Sequence, residues 1–294
     1  MGHGSYPTYK PSTQPMPIWV LLREAASQVW VRRGHFGRLM PLPMVTIAVI
    51  GYLQDLWDQP NAEEPIVQLL TEQAFWMALY GIIGALFAVV IHRSILLDER
   101  VSLSQWFFRL NKREITFTGW SFFIGGGMWL MFAIGATLSM ALAIPFASWC
   151  SNLISRIGEA QPWLENLGET ILIGVAGSVT GFLVSYFAAR TSLLLPASAL
   201  DHHQRLAWAW TISKPHTMRL TFLVGVIPLA SFSFQALWPV WIYDLLWNPA
   251  HQVLSAFVYC SLLILEIAIL SLSYRWIIGS APTVQAPAIA EPIL

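Results

Sequence analysis

One acidic residue stands where a charge is hardest to keep. Glu266 lies in the run Leu262-Leu263-Ile264-Leu265-Glu266-Ile267-Ala268-Ile269-Leu270, with no other charge beside it. A carboxylate at the centre of a membrane helix costs about 2.5–3.5 kcal/mol on insertion scales, so it turns toward a bundle interior and pairs or stays protonated. It then relays a proton or cation, contacts a polar headgroup, or only packs helices through a bond to a hydroxyl such as Ser178, Thr180 or Ser231. A second titratable group to complete a relay is not evident.

Three arginines close apolar segments at His92-Arg93, Ala189-Arg190 and Tyr274-Arg275. Gathered at one face, Arg93, Arg190 and Arg275 would bind lipid phosphate or a partner's acidic groups, although the general excess of basic residues on the cytoplasmic side is the stronger account of them. Other constellations are incomplete. His92 and His251 fall at opposite ends of their segments, so no bis-histidine haem site forms. Asp201-His202-His203 lacks further ligands at metal spacing and reads as a solvated helix start, while Cys150 and Cys260 show no zinc or disulfide pattern. No Ser/His/Asp, Cys/His or paired-carboxylate arrangement occurs, and no glycine-rich phosphate loop follows a strand. The expectation is no catalytic residue, no metal and no cofactor.

The elements that would position these residues are membrane helices. Crossing a hydrocarbon core of roughly 30 Å takes about 20 mainly apolar residues. Six windows qualify, near 37–57, 73–97, 115–141, 170–190, 218–240 and 251–278. Three shorter amphipathic stretches read as interfacial helices. The first sets Ile18, Leu22, Ala25 and Val29 in a stripe flanked by Trp19 and Trp30, the second aligns Leu103, Trp106, Phe107 and Leu110, and the third runs from Ser198 to Ser213 with Trp210 on its apolar face. Trp30, Trp106 and Trp210 are therefore candidate lipid or partner contacts. Gly177 and Gly181 have the small-xxx-small spacing of close helix packing.

The order of these elements, one interfacial helix followed by two spanning ones, three times over, suggests a threefold internal repeat. Arg93-Ser94-Ile95-Leu96-Leu97 and Arg190-Thr191-Ser192-Leu193-Leu194 strengthen it. Interfacial Arg and Trp shared by all such proteins are the competing explanation.

Composition and charge agree with lipid as solvent. The chain of 294 residues is 56% hydrophobic and 11% charged, against roughly 25% charged in soluble domains. The segments outside the apolar windows are too short for an aqueous core, so one membrane domain, 17–279, is expected between a polar tail, 1–16, and an extended Ala/Pro-rich tail, 280–294. The first tail lacks the basic start and apolar core of a signal peptide. Net charge is zero, which argues against a nucleic-acid partner. Of the 16 Lys and Arg residues, all but Arg156 gather in the termini, the interfacial stretches and the helix ends beside them. Asp55, Asp58, Glu63, Glu64, Glu72, Glu159, Glu165, Glu169 and Asp244 collect on the other face. The basic side is then cytoplasmic, with both termini inside.

The stretch His92-Arg93-Ser94-Ile95-Leu96-Leu97-Asp98-Glu99, followed by Arg113-Glu114, resembles a broad group of uncharacterised proteobacterial six-helix inner-membrane proteins. A second block, Arg190-Thr191-Ser192-Leu193-Leu194-Leu195-Pro196-Ala197 with Ala207-Trp208-Ala209-Trp210-Thr211, resembles the same group. These proteins are similar to YciC-like proteins and to the membrane domain attached to some glycerophosphodiester phosphodiesterases. Because no soluble phosphodiesterase domain accompanies the blocks, the resemblance implies a non-catalytic membrane module.

The expected protein is thus an all-α polytopic membrane bundle of an inner membrane, not an enzyme, in contact with lipids and with a membrane-protein partner. It would act as a scaffold or accessory subunit, or in envelope and lipid organisation. The alternative is a small-solute or lipid transporter using the bundle interior near Glu266.

Overall fold

A computed structural model describes residues 16–57, 66–99, 111–157, 162–202, 204–227 and 248–278. Every regular element among them is helical. In chain order these are α1 (Ile18–Val31), α2 (Arg33–Leu39), α3 (Pro41–Trp57), α4 (Ile66–Leu97), α5 (Lys112–Ile157), α6 (Pro162–Thr191), α7 (Leu194–Ala199), α8 (Leu206–Ser213), α9 (Thr217–Leu220) and α10 (Asn248–Ile278). A 3₁₀ turn, Lys214–His216, joins α8 to α9, and α9 runs on as a π-helix, Thr221–Val226.

Among the described residues four segments are long and apolar enough to cross a membrane: Ala74–Leu97, Lys112–Phe146, Gly177–Ala199 and Pro249–Ile278. The pair α2–α3 qualifies as a fifth only as one broken span, because its axes meet at 44° around Met40. Pro41 and Pro43 lack the N–H that would continue the ladder of α2, so the bend falls where the sequence removes donors. The window at 218–240 begins in α9 and the π-helix and then leaves the described residues.

α10 is the centre of the packing. It lies against α1, α3 and α4, and its buried Ile264, Ala268, Leu272 and Ile277 join Phe87, Ile91 and Ile95 of α4 in one apolar cluster. α1 rests on it through Leu21 and Ala25, with Ile18, Leu22 and Val29 half-buried around them. The expected stripe of α1 therefore faces the bundle. Trp19 and Trp30 stay 77% and 67% exposed on the other side.

The stretch from Ser198 to Ser213 is broken rather than a single helix. α7 ends at Ala199 with Leu200 as its cap, and Asp201 takes a left-handed φ of 61°. Asp201 N–H bonds Ser198 O at 3.1 Å and His202 N–H bonds Ala197 O at 2.9 Å, the paired bonds of a Schellman cap. Aspartate tolerates this conformation better than most non-glycine residues, so the stop carries no glycine to announce it. Residues 100–110, including Trp106, lie outside the described residues.

α5 differs most from its window. It continues to Ile157 as a 46-residue helix through Pro145. At 1.5 Å per residue that is about 69 Å, more than twice a hydrocarbon core of roughly 30 Å. α6 packs along it. Gly177 of α6 faces open space, so close helix approach is made elsewhere. At Gly225 a Cβ would stand 2.7 Å from the Ser185 backbone, which holds the π-helix hard against α6.

Candidate functional site

The end of α4 and the cap of α7 meet in an ion-pair cluster. Arg93 Nε donates to Glu99 Oε2 at 2.7 Å, and its Nη2 donates to Glu99 Oε1. The carboxylate thereby fills the side fork of the guanidinium, the strongest geometry for this pair. Nη1 donates to Ala199 O at 3.1 Å and stands 3.8 Å from Asp201 Oδ2. Arg113, at the start of α5, donates to the same Asp201 oxygen at 3.0 Å and to Glu114 at 3.2 Å. Arg32 reaches over from α1 to Asp98 at 3.0 Å and also donates to Ser94 O. Asp98, like Asp201, takes a left-handed φ, here 57°, just beyond its helix. Three arginines, from the ends of α1 and α4 and the start of α5, thus meet acids placed at or just past helix stops.

His202, beside that cap, bonds through Nδ1 to Tyr274 Oη of α10 at 3.0 Å. Burial holds its imidazole below the ordinary 6.5, against the opposing pull of Asp201.

Arg190 occupies the matching place near the end of α6, but its surroundings are of another kind. Its side chain is buried at 4% exposure. Nη1 donates to Thr217 Oγ1 at 2.9 Å, and Cζ lies 4.4 Å over the Trp210 ring. Trp210 is fixed edge-on against Tyr186, with ring centroids 6.4 Å apart. Nε is buried without an acceptor, and among the described residues no carboxylate pairs with this guanidinium. Arg275 is exposed at the end of α10, so the three arginines have three different settings. Trp30 carries Arg33 over its ring at 4.6 Å.

Glu266 is half-buried on α10, and it belongs to a stripe. Gln252, Tyr259, Glu266 and Ser273 recur every seven residues, with Ser255 beside them, inside a sector of roughly 60° on a 3.6-residue helix. Gln252 Nε2 donates to Asp55 Oδ2 of α3 at 2.6 Å. A Cβ on Gly51 would fall 2.4 Å from Gln252 Oε1 and 3.2 Å from Tyr80 Oη, so glycine there lets α3 come down on polar groups of both α4 and α10. The buried Oγ atoms of Ser255 and Ser273 have no hydrogen-bond partner among the described residues. The sevenfold spacing was readable in the sequence, but attention to Glu266 alone passes over it. On a neighbouring face, the buried His92 Nδ1 and Ser271 Oγ lie 2.7 Å apart and share a hydrogen bond.

A groove between α3 and α10, about 540 Å³, is lined by Met44, Pro249, Ala250, Val253, Leu254 and Phe257 and is almost wholly apolar. Among the described residues no group of three or more His, Cys, Asp or Glu side chains is placed to hold a metal ion.

Fold and sites together define an all-α protein of the multi-pass membrane class, with its arginine-rich helix ends gathered around acidic caps. No family model matches the chain, and neither a curated protein nor a solved structure does.

Proposed function

We propose that this is a non-enzymatic inner-membrane protein, with both termini cytoplasmic, that works as a scaffold or accessory subunit in envelope and lipid organisation. The observation that carries the reading is the length of α5. Measured from Lys112, Trp149 stands about 55 Å along the axis, beyond the 40–45 Å that a bilayer occupies with its headgroups. Trp149 is nevertheless 59% exposed. A large aromatic side chain exposed at that height fits a protein partner better than water.

A photo-crosslinker at Trp149 tests this in intact membranes. A discrete protein adduct is expected there, whereas the same probe at Leu130, within the span, should label lipid. Lipid adducts alone at both positions would remove the scaffold reading. Cysteine labelling tests the orientation, with Ser27 and Ser213 expected to be protected from an impermeant reagent outside the cell.

The stripe on α10 favours a second reading, a small-solute or lipid transporter. Gln252, Tyr259 and Glu266 place polar groups from one end of α10 to its middle, against helices that leave them room. Under this reading Glu266→Gln abolishes a pH-dependent flux in proteoliposomes while the protein stays folded. An unchanged flux would assign the stripe to packing.

A further inference from the structure

We propose that the corner built by Arg190, Trp210 and Thr217 is a binding site for a phosphate-bearing anion, either a lipid headgroup or a free phosphate. It deepens the reading above by naming a ligand class, and leans on it only for lipid as the source.

The argument starts from charge. A guanidinium does not deprotonate in proteins, so burial at 4% exposure cannot be relieved by losing the proton. An uncompensated buried charge is strongly unfavourable. What Arg190 meets among the described residues is neutral. Thr217 accepts one bond and directs its own proton to Ser213 O or Lys214 O, each 3.0 Å away. The Trp210 ring covers one face and restores part of the lost hydration.

Arg93 shows what is missing. There the side fork of Nε and Nη2 is filled by both oxygens of Glu99. In Arg190 the Thr217 bond uses Nη1, and the same fork is left without an acceptor, with its Nε sealed from solvent. Two oxygens of a phosphate match that fork as a carboxylate does. Trp210, 39% exposed over the guanidinium, borders the way in.

The test uses the purified full chain in a neutral detergent. Its unfolding midpoint is followed while phosphatidylglycerol, phosphatidylcholine or inorganic phosphate is titrated in, with tryptophan fluorescence read alongside. Phosphatidylglycerol should raise the midpoint beyond phosphatidylcholine. The Arg190→Gln variant should lose that difference through an apparent affinity about tenfold to a hundredfold weaker. Arg190→Lys, which keeps charge but loses the fork, should fall between, and Arg275→Gln should respond as the native protein does. A response to phosphatidylglycerol without one to inorganic phosphate assigns a headgroup; a response to both assigns the anion itself. Equal responses to both lipids with none to phosphate would overturn the proposal. So would a full response in Arg190→Gln or, should that variant not fold, in Arg190→Lys. Crosslinking at Trp149 is independent of these outcomes, so failure here and failure of the scaffold reading remain separate.

Discussion

Arg93 and Arg190 sit in nearly the same local sequence and in opposite electrostatic situations. At Arg93 the chain turns immediately after the helix, and the turn delivers Glu99 to the guanidinium. After Arg190 the chain inserts α7 before it stops, so the acid at that stop, Asp201, lands on Arg93 and Arg113 instead. The first corner is closed by its own chain and the second is left to tryptophan and a hydroxyl. A repeated motif need not repeat a role. The connection that follows it decides whether the arginine is a structural rivet or a binding group.

The largest expected effect breaks the second corner mechanically. Gly225→Ala sets a methyl against the Ser185 backbone, which cannot give way as a side-chain tip would. Overpacking of this kind costs about 1–3 kcal/mol, and here the upper end is expected. Denaturant titration in detergent should show it, together with loss of the fluorescence signature of Trp210.

Arg93→Ala comes next. It strands Glu99 and leaves Asp201 to Arg113 alone, but both acids are partly exposed, at 39% and 56%, so water recovers part of the loss. A cost of about 1–3 kcal/mol is expected, shared with Glu99→Ala in a double-mutant cycle. Arg190→Gln in lipid-free detergent should be neutral or slightly stabilising, because it removes a buried charge that no acid of the described chain meets. Equal losses at Arg93 and Arg190 would erase the contrast.

The smallest effect is a pH dependence at the first corner. An unfolded chain takes up a proton at His202 near 6.5, while the folded imidazole, held lower by burial, does not. The stability this contributes is present above that value and is lost as pH falls below it toward the lowered folded value. Unfolding midpoints between about pH 7 and pH 5 should therefore decline less in His202→Gln than in the native chain.

Much of the helical layout was legible because the lipid requirement writes itself as apolar length. The windows at 73–97, 115–141 and 251–278 coincide with spanning-length helices, and the stripe of α1 follows ordinary helical periodicity. What was hidden depended on partners distant in sequence or on quiet signals. The stop at Asp201 has no glycine or proline to mark it. The run of α5 past its apolar window to Ile157 passes through Pro145, a residue that argues for an end. The tie between Arg93 and Asp201 spans two helices, and no local pattern distinguishes Arg190 from Arg93. The stripe on α10 was the exception, visible as a seven-residue recurrence and overlooked beside the single acid in it.

The most direct measurement is solid-state NMR dephasing between arginine ¹³Cζ and lipid ³¹P in bilayers containing phosphatidylglycerol, with native protein compared with Arg190→Lys and Arg93→Lys. The contrast between the corners predicts close-range dephasing that disappears in Arg190→Lys and persists in Arg93→Lys. Dephasing that disappears with Arg93 and not with Arg190, or that is unchanged in both, would contradict it.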